Sequence, residues 1–134
     1  MEGDIGKRIV DIEGLTTCLI FQYEPSFVCY ESVLFGRNVT NALNTAKIIA
    51  GIEYAAHKTR YHITSHPPAK IKKVITGNGR AKKEEMAKGV SKFIDYKKSD
   101  KDVLWYTQVS HHVIDAVAVG ISGIKLYVPQ NPWE

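Results

Sequence analysis

Cysteine is scarce, with Cys18 and Cys29 alone in 134 residues. Both lie inside apolar stretches without C-x-x-C spacing, which argues against a disulfide framework or a cysteine-based zinc site and fits reduced core residues. Long hydrophobic runs are missing too: no window approaches the roughly eighteen uninterrupted apolar residues of a membrane span. The acidic, glycine-containing start Met-Glu-Gly-Asp does not read as a secretory signal. The expectation is a soluble cytoplasmic protein with no membrane partner. Internal repeats and low-complexity tracts are also absent. What is present, 44% hydrophobic residues over one domain's worth of length, can bury a real core, so a single domain over 1–134 is expected.

Acidic residues are thin where basic ones are dense. The formal charge is +4, yet Lys70 to Lys101 holds eleven of the eighteen basic residues and four of the fourteen acidic ones. That segment is +7 and the remainder −3. Phosphate backbones are the natural partner of such a patch, and a solvated lysine-rich surface is the plainer alternative.

The apolar pattern predicts an α/β chain. Ile5, Ile9, Ile12, Leu15, Leu19 and Tyr23 recur at three- and four-residue steps, an amphipathic helix over about Ile5 to Gln22 that stops before Pro25. Phe27 to Glu31 follows as a buried strand ending on a carboxylate, then a turn at Gly36-Arg37-Asn38. A second helix over about Thr40 to Lys58 carries Ala42, Ala46 and Ala50 along one edge, allowing close approach of the sheet or of a second copy of the helix. Arg60 to Ser65 reads as a strand parallel to the first through a right-handed crossover. Pro67 and Pro68 open a helical turn through Ile71 and Val74. Gly77-Asn-Gly79 then leads to a helix over about Ala81 to Phe93 with Met86, Val90 and Phe93 on one side. Asp95 to Asp102 is a charged loop, Val103 to Val109 either a strand or an extended lead-in, and the tail from Pro129 frays. A last helix is capped by Ser110, with Val113, Ile114, Val117, Ala118 and Ile121 marking its buried face.

Two places carry chemistry. Glu31 sits at the carboxyl end of a strand, where α/β folds collect ligands, although a solvent-facing terminal Glu is the plain alternative. On the last helix His112 is three residues and His111 four residues from Asp115, so either imidazole projects beside that carboxylate. Asp115 lies between Ile114 and Ala116, where a buried carboxylate needs a compensating partner. A hydrogen-bonded structural Asp satisfies this, as does a divalent metal shared with Glu31. Oxygen donors with one imidazole suit Mg²⁺ or Mn²⁺, and two such ions are the usual arrangement for phosphodiester hydrolysis.

These residues converge on a family. The strand ending Tyr30-Glu31-Ser32, the Phe35-Gly-Arg-Asn38 turn, the Pro68 to Lys83 stretch with its Lys-x-x-x-x-Gly-x-Gly-x-Ala-x-Lys pattern, and His112-Val-Ile-Asp-Ala-Val-Ala118 resemble the RuvC Holliday junction resolvases. The resemblance spans roughly Asp4 to Ile121. It implies a ribonuclease H-like α/β fold of parallel strands covered by helices, in a homodimeric, metal-dependent endodeoxyribonuclease that resolves four-way DNA junctions in recombination and repair. Two Mg²⁺ or Mn²⁺ ions are implied, with Glu31, His112 and Asp115 as three of four catalytic metal ligands. Lys72 and Lys83 match the family's phosphate-holding lysines, with Lys73 and Lys82 beside them, while Phe35 and Arg37 fall where its junction-probing loop lies. A branch-migration complex is a further candidate partner.

The chain departs from the pattern at its start. Family members begin with a strand of the type Ile-x-Gly-Ile-Asp-Pro-Gly, whose Asp is the fourth ligand, followed by two more strands; here Met1 falls just before the first helix. The expectation is a fold incomplete at its N-terminus, as a clipped sequence, a remnant or a half completed by another polypeptide, with clipping preferred. Three ligands in place of four imply weak metal binding. The alternative function is a non-catalytic DNA-binding remnant or half-domain of the family.

Overall fold

The computed structural model describes residues 4–34, 36–94 and 110–127. They fall into two compact units divided between Ser65 and His66.

The first unit holds α1 (Ile5–Tyr23), β1 (Val28–Glu31), α2 (Val39–Lys58) and β2 (Ile63–His66, whose last residue lies past the divide). Asp4 caps α1 by accepting from the Gly6 amide at 2.9 Å. The helix stops at Glu24, which adopts the left-handed conformation (φ 44°) just before Pro25. Asn38 caps α2 by accepting from the Asn41 amide at 3.0 Å. The two strands are adjacent and parallel, with the Val28 amide donating to the His62 carbonyl at 2.8 Å. α1 packs on α2. Their closest approach is at Gly51, where a β-carbon would stand 2.9 Å from the Ile9 carbonyl oxygen and 3.0 Å from Ile12 Cγ2. Glu13 and Lys58 form an ion pair between the same two helices.

This packing reorders the expected faces. Ile20 is buried on α1, whereas Leu15 and Tyr23 remain 55% and 69% exposed and Leu19 is also exposed. Ile9 and Ile12 of the expected stripe do meet α2 at Gly51, whereas Ile20, outside that stripe, is the residue buried on α1. On α2 the alanine edge divides: Ala42 is buried, Ala46 half-buried and Ala50 exposed, and the tight contact falls to Gly51.

The second unit contains α3 (Pro68–Thr76), α4 (Lys83–Ser91) and α5 (His111–Leu126), each packed on the other two. Ile71 and Ile75, then Met86, Ala87 and Val90, then Ile114, Ala118 and Val119 make the shared core. α3 and α4 meet closely, since a β-carbon at Gly89 would lie 2.6 Å from Ile75 Cγ2. α4 is shorter than expected, and Phe93, just past its end, is 40% exposed beneath the Lys125 ammonium. The expectations for Asp95 to Asp102, Val103 to Val109 and the tail from Pro129 lie outside the described residues. Among the described residues no helix is long and apolar enough to cross a membrane.

Candidate functional site

In the first unit Glu31 ends β1 and is exposed, as a carboxylate that meets a ligand must be. Its neighbour Tyr30 is half-buried and donates its hydroxyl to Glu53 Oε1 on α2 at 2.5 Å. Burial first, and then Glu53, push the Tyr30 phenol above its ordinary value, so it stays protonated and donating. Nothing in the spacing of Tyr30 and Glu53, 23 residues apart, singles out this pair. Arg37 is exposed in the bend before α2, and Phe35 lies outside the described residues.

In the second unit the basic residues are arranged by a helical hairpin. α3 ends at Gly77 in the left-handed region (φ 81°), which glycine adopts without the β-carbon clash other residues meet. Thr76 Oγ1 donates to the Lys72 carbonyl at 2.8 Å and accepts from the Asn78 amide at 3.1 Å. The Arg80 amide donates to Asn78 Oδ1 at 3.0 Å, and the Ala81 amide to the Asn78 carbonyl at 3.1 Å. Gly79 packs back toward α3, 3.2 Å separating its would-be β-carbon from the Ala69 carbonyl oxygen. Glu85 then starts α4 by accepting from the Lys82 amide at 2.7 Å. The buried Ile71, Ile75 and Ala81 anchor this hairpin. Lys73, Arg80, Lys82 and Lys83 are exposed on it and Lys72 is half-buried. Arg80, at the turn, is a basic residue that the motif spacing passes over as a variable position. His66 precedes α3, and burial, aided by the positive Lys70, lowers its imidazole pKa and favours the neutral ring.

α5 places His112 and Asp115 one turn apart, beginning from Ser110, whose hydroxyl accepts from the Val113 amide at 3.4 Å. Both side chains are exposed. This corrects the expectation of an aspartate buried among apolar neighbours: near its start α5 buries Ile114, and Asp115 lies off that face. Solvent access removes the need for a compensating internal partner. Within neither unit do three described His, Cys, Asp or Glu side chains gather around a common point. Within the second unit, the accessible imidazole of His112 and carboxylate of Asp115 are donor types that suit a hard divalent ion.

A family model for the crossover junction endodeoxyribonuclease RuvC matches residues 1–123. The RuvC of Bacteroides fragilis is 31% identical over 127 residues, covering 85% of this chain and 65% of that protein. The RuvC of Helicobacter pylori strain J99 is 25% identical, covering 92% of this chain and 74% of its own length. The chain thus spans about two thirds to three quarters of these relatives. Among solved structures, T. thermophilus RuvC in complex with a Holliday junction substrate aligns with a TM-score of 0.75 at 20% identity, covering 92% of this chain and 70% of that one. A second Thermus thermophilus RuvC structure aligns with a TM-score of 0.73. The fold is therefore the α/β, ribonuclease H-like fold of those proteins. With a family match running from the first helix into α5 and taking in both the Glu31 strand and the lysine hairpin, the chain belongs to the RuvC crossover junction endodeoxyribonuclease family.

Proposed function

We propose that this chain is a metal-dependent, structure-specific endodeoxyribonuclease acting on four-way (Holliday) DNA junctions in recombination and repair, in the cytoplasm. The observation that carries this reading is the family match over residues 1–123; the accessibility of Glu31, His112 and Asp115 supports reading them as metal ligands. Glu31, His112 and Asp115 would hold Mg²⁺ or Mn²⁺, two ions in the complete site. Bound there, such ions lower the pKa of an attacking water and stabilise the leaving oxygen of a phosphodiester. The chain's own residues bind and orient the DNA. Lys72, Lys73, Lys82 and Lys83 hold backbone phosphates from the α3–α4 hairpin, and Phe35 and Arg37 meet the junction after β1. A homodimer through α2 puts two sites on one symmetric junction. Exposed Val39, Leu43 and Ala50 with half-buried Ala46, at three- and four-residue steps along α2, support that surface.

A second reading, a DNA-binding module without cleavage, rests on the exposed lysines of the α3–α4 hairpin, which can hold phosphates whether or not a metal site is complete. A cleavage assay on a labelled four-way junction, in Mg²⁺ and in Mn²⁺, separates the two. Nicking that is lost in Glu31→Gln is the expected result. Tight junction binding without Glu31-dependent nicking selects the second reading, and equal affinity for junction and linear duplex removes both.

A further inference from the structure

β1 has four residues, and short strand ends open easily unless something other than the ladder restrains them. At the start of β1 the Val28 amide is bonded to the His62 carbonyl. A side chain adds a second restraint near its end: the Tyr30 hydroxyl donates to Glu53 on α2 at 2.5 Å. The phenol oxygen therefore joins β1 to α2, one residue before Glu31.

We propose that Tyr30 is a positioning residue for Glu31, its hydroxyl tying the carboxyl end of β1 to α2 through Glu53. The proposal rests on the reading of Glu31 as a functional carboxylate. Successive strand residues face opposite sides, so Tyr30 can be anchored to α2 while Glu31 stays accessible on the other face. If Tyr30 served the core through its ring alone, the hydroxyl would be a liability, since a half-buried phenol and carboxylate each lose hydration on folding. Their bond offsets that loss. A strand end held this way cannot drift from α2, and catalytic carboxylates displaced by about an ångström lose roughly a hundredfold in rate.

The test uses the full chain and three substitutions: Tyr30→Phe, which removes the hydroxyl and keeps the ring; Glu53→Ala, which removes the acceptor; and Glu53→Gln, whose amide oxygen still accepts. Amide hydrogen exchange is read by NMR without metal, and junction nicking with it. Tyr30→Phe and Glu53→Ala are each expected to speed exchange of amides 29–32 by about tenfold while α1 amides hold their rates. In the nicking assay both lower kcat by about tenfold with KM unchanged. Glu53→Gln behaves as wild type in both measurements. Exchange at 29–32 that does not change, or that rises equally throughout the first unit, overturns the proposal while leaving Glu31-dependent nicking in place. Wild-type nicking that is indifferent to Glu31→Gln overturns the functional reading, and with it any catalytic purpose for the Tyr30 tether.

Discussion

Replacing Gly51 by alanine should destabilise the first unit even though alanine is the better helix former. In an unobstructed helix interior the exchange gains about 1 kcal/mol, because glycine loses more backbone freedom on folding. Gly14 of α1 is such a place, with nothing within 4 Å of a would-be β-carbon. At Gly51 the same carbon would stand 2.9 Å from the Ile9 carbonyl oxygen, 3.0 Å from Ile12 Cγ2 and 3.3 Å from Ile9 Cγ2, whereas ordinary contact begins at 3.4 Å. The nearest atom belongs to backbone, so a rotamer change cannot relieve it and α1 must move off α2 by about half an ångström. Gaps of that size forfeit a quarter or more of each dispersion contact across an interface. Overpacking of this kind costs about 1–3 kcal/mol. Set against the propensity gain, Gly51→Ala is expected to lose up to about 2 kcal/mol, while Gly14→Ala gains about 1 kcal/mol. Urea unfolding followed by helical circular dichroism measures both. If Gly51→Ala stabilises as much as Gly14→Ala, the helices are not in the close contact described and the packing argument fails.

Two further outcomes follow from the charges. Lys72→Ala with Lys83→Ala should reduce the slope of log affinity against log salt for junction DNA by roughly one unit per lost phosphate contact; an unchanged slope in a salt titration removes both lysines from the interface. The Glu13–Lys58 ion pair gives a pH signature. Its bond to Lys58 lowers the Glu13 pKa, so that contribution is present above the ordinary carboxylate range and disappears as pH falls through the lowered folded value. Glu13 raises the Lys58 pKa, so the lysine's contribution is full below its ordinary value and is lost only as pH rises through the raised one. The stability difference between wild type and Lys58→Met should therefore be small, level from neutral to mildly acidic pH, and vanish in strong acid and in high salt. A difference that survives both conditions would mean that Lys58 acts through something other than Glu13, such as its position over the Tyr54 ring.

Much of this protein was determined locally and so was legible in the sequence. Pro25 and Pro68 mark where one helix must end and another can begin, and Ser110 and Asn38 offer side-chain acceptors to the first amides of their helices. The run entering Glu31 is apolar enough to be a strand, and Gly77 can take a backbone conformation that most residues avoid. Each of these acts within a few residues along the chain. The candidate lysines and the His112–Asp115 spacing were readable for the same reason. What only the tertiary structure decided is which surface covers which. Periodicity names the residues that can share a face of α1, but the packing of the first unit buried Ile20 and left Leu15, Leu19 and Tyr23 exposed. It also made Gly51, rather than the alanine edge, the point of closest approach. Asp115 looked buried among apolar neighbours, yet α5 presents it to solvent because the helices beside it cover the face of Ile114 and Ala118. The Tyr30–Glu53 bond joins residues 23 apart, and no local rule pairs them. Burial and long-range pairing depend on neighbours brought in by the fold, and a one-dimensional pattern does not contain those neighbours.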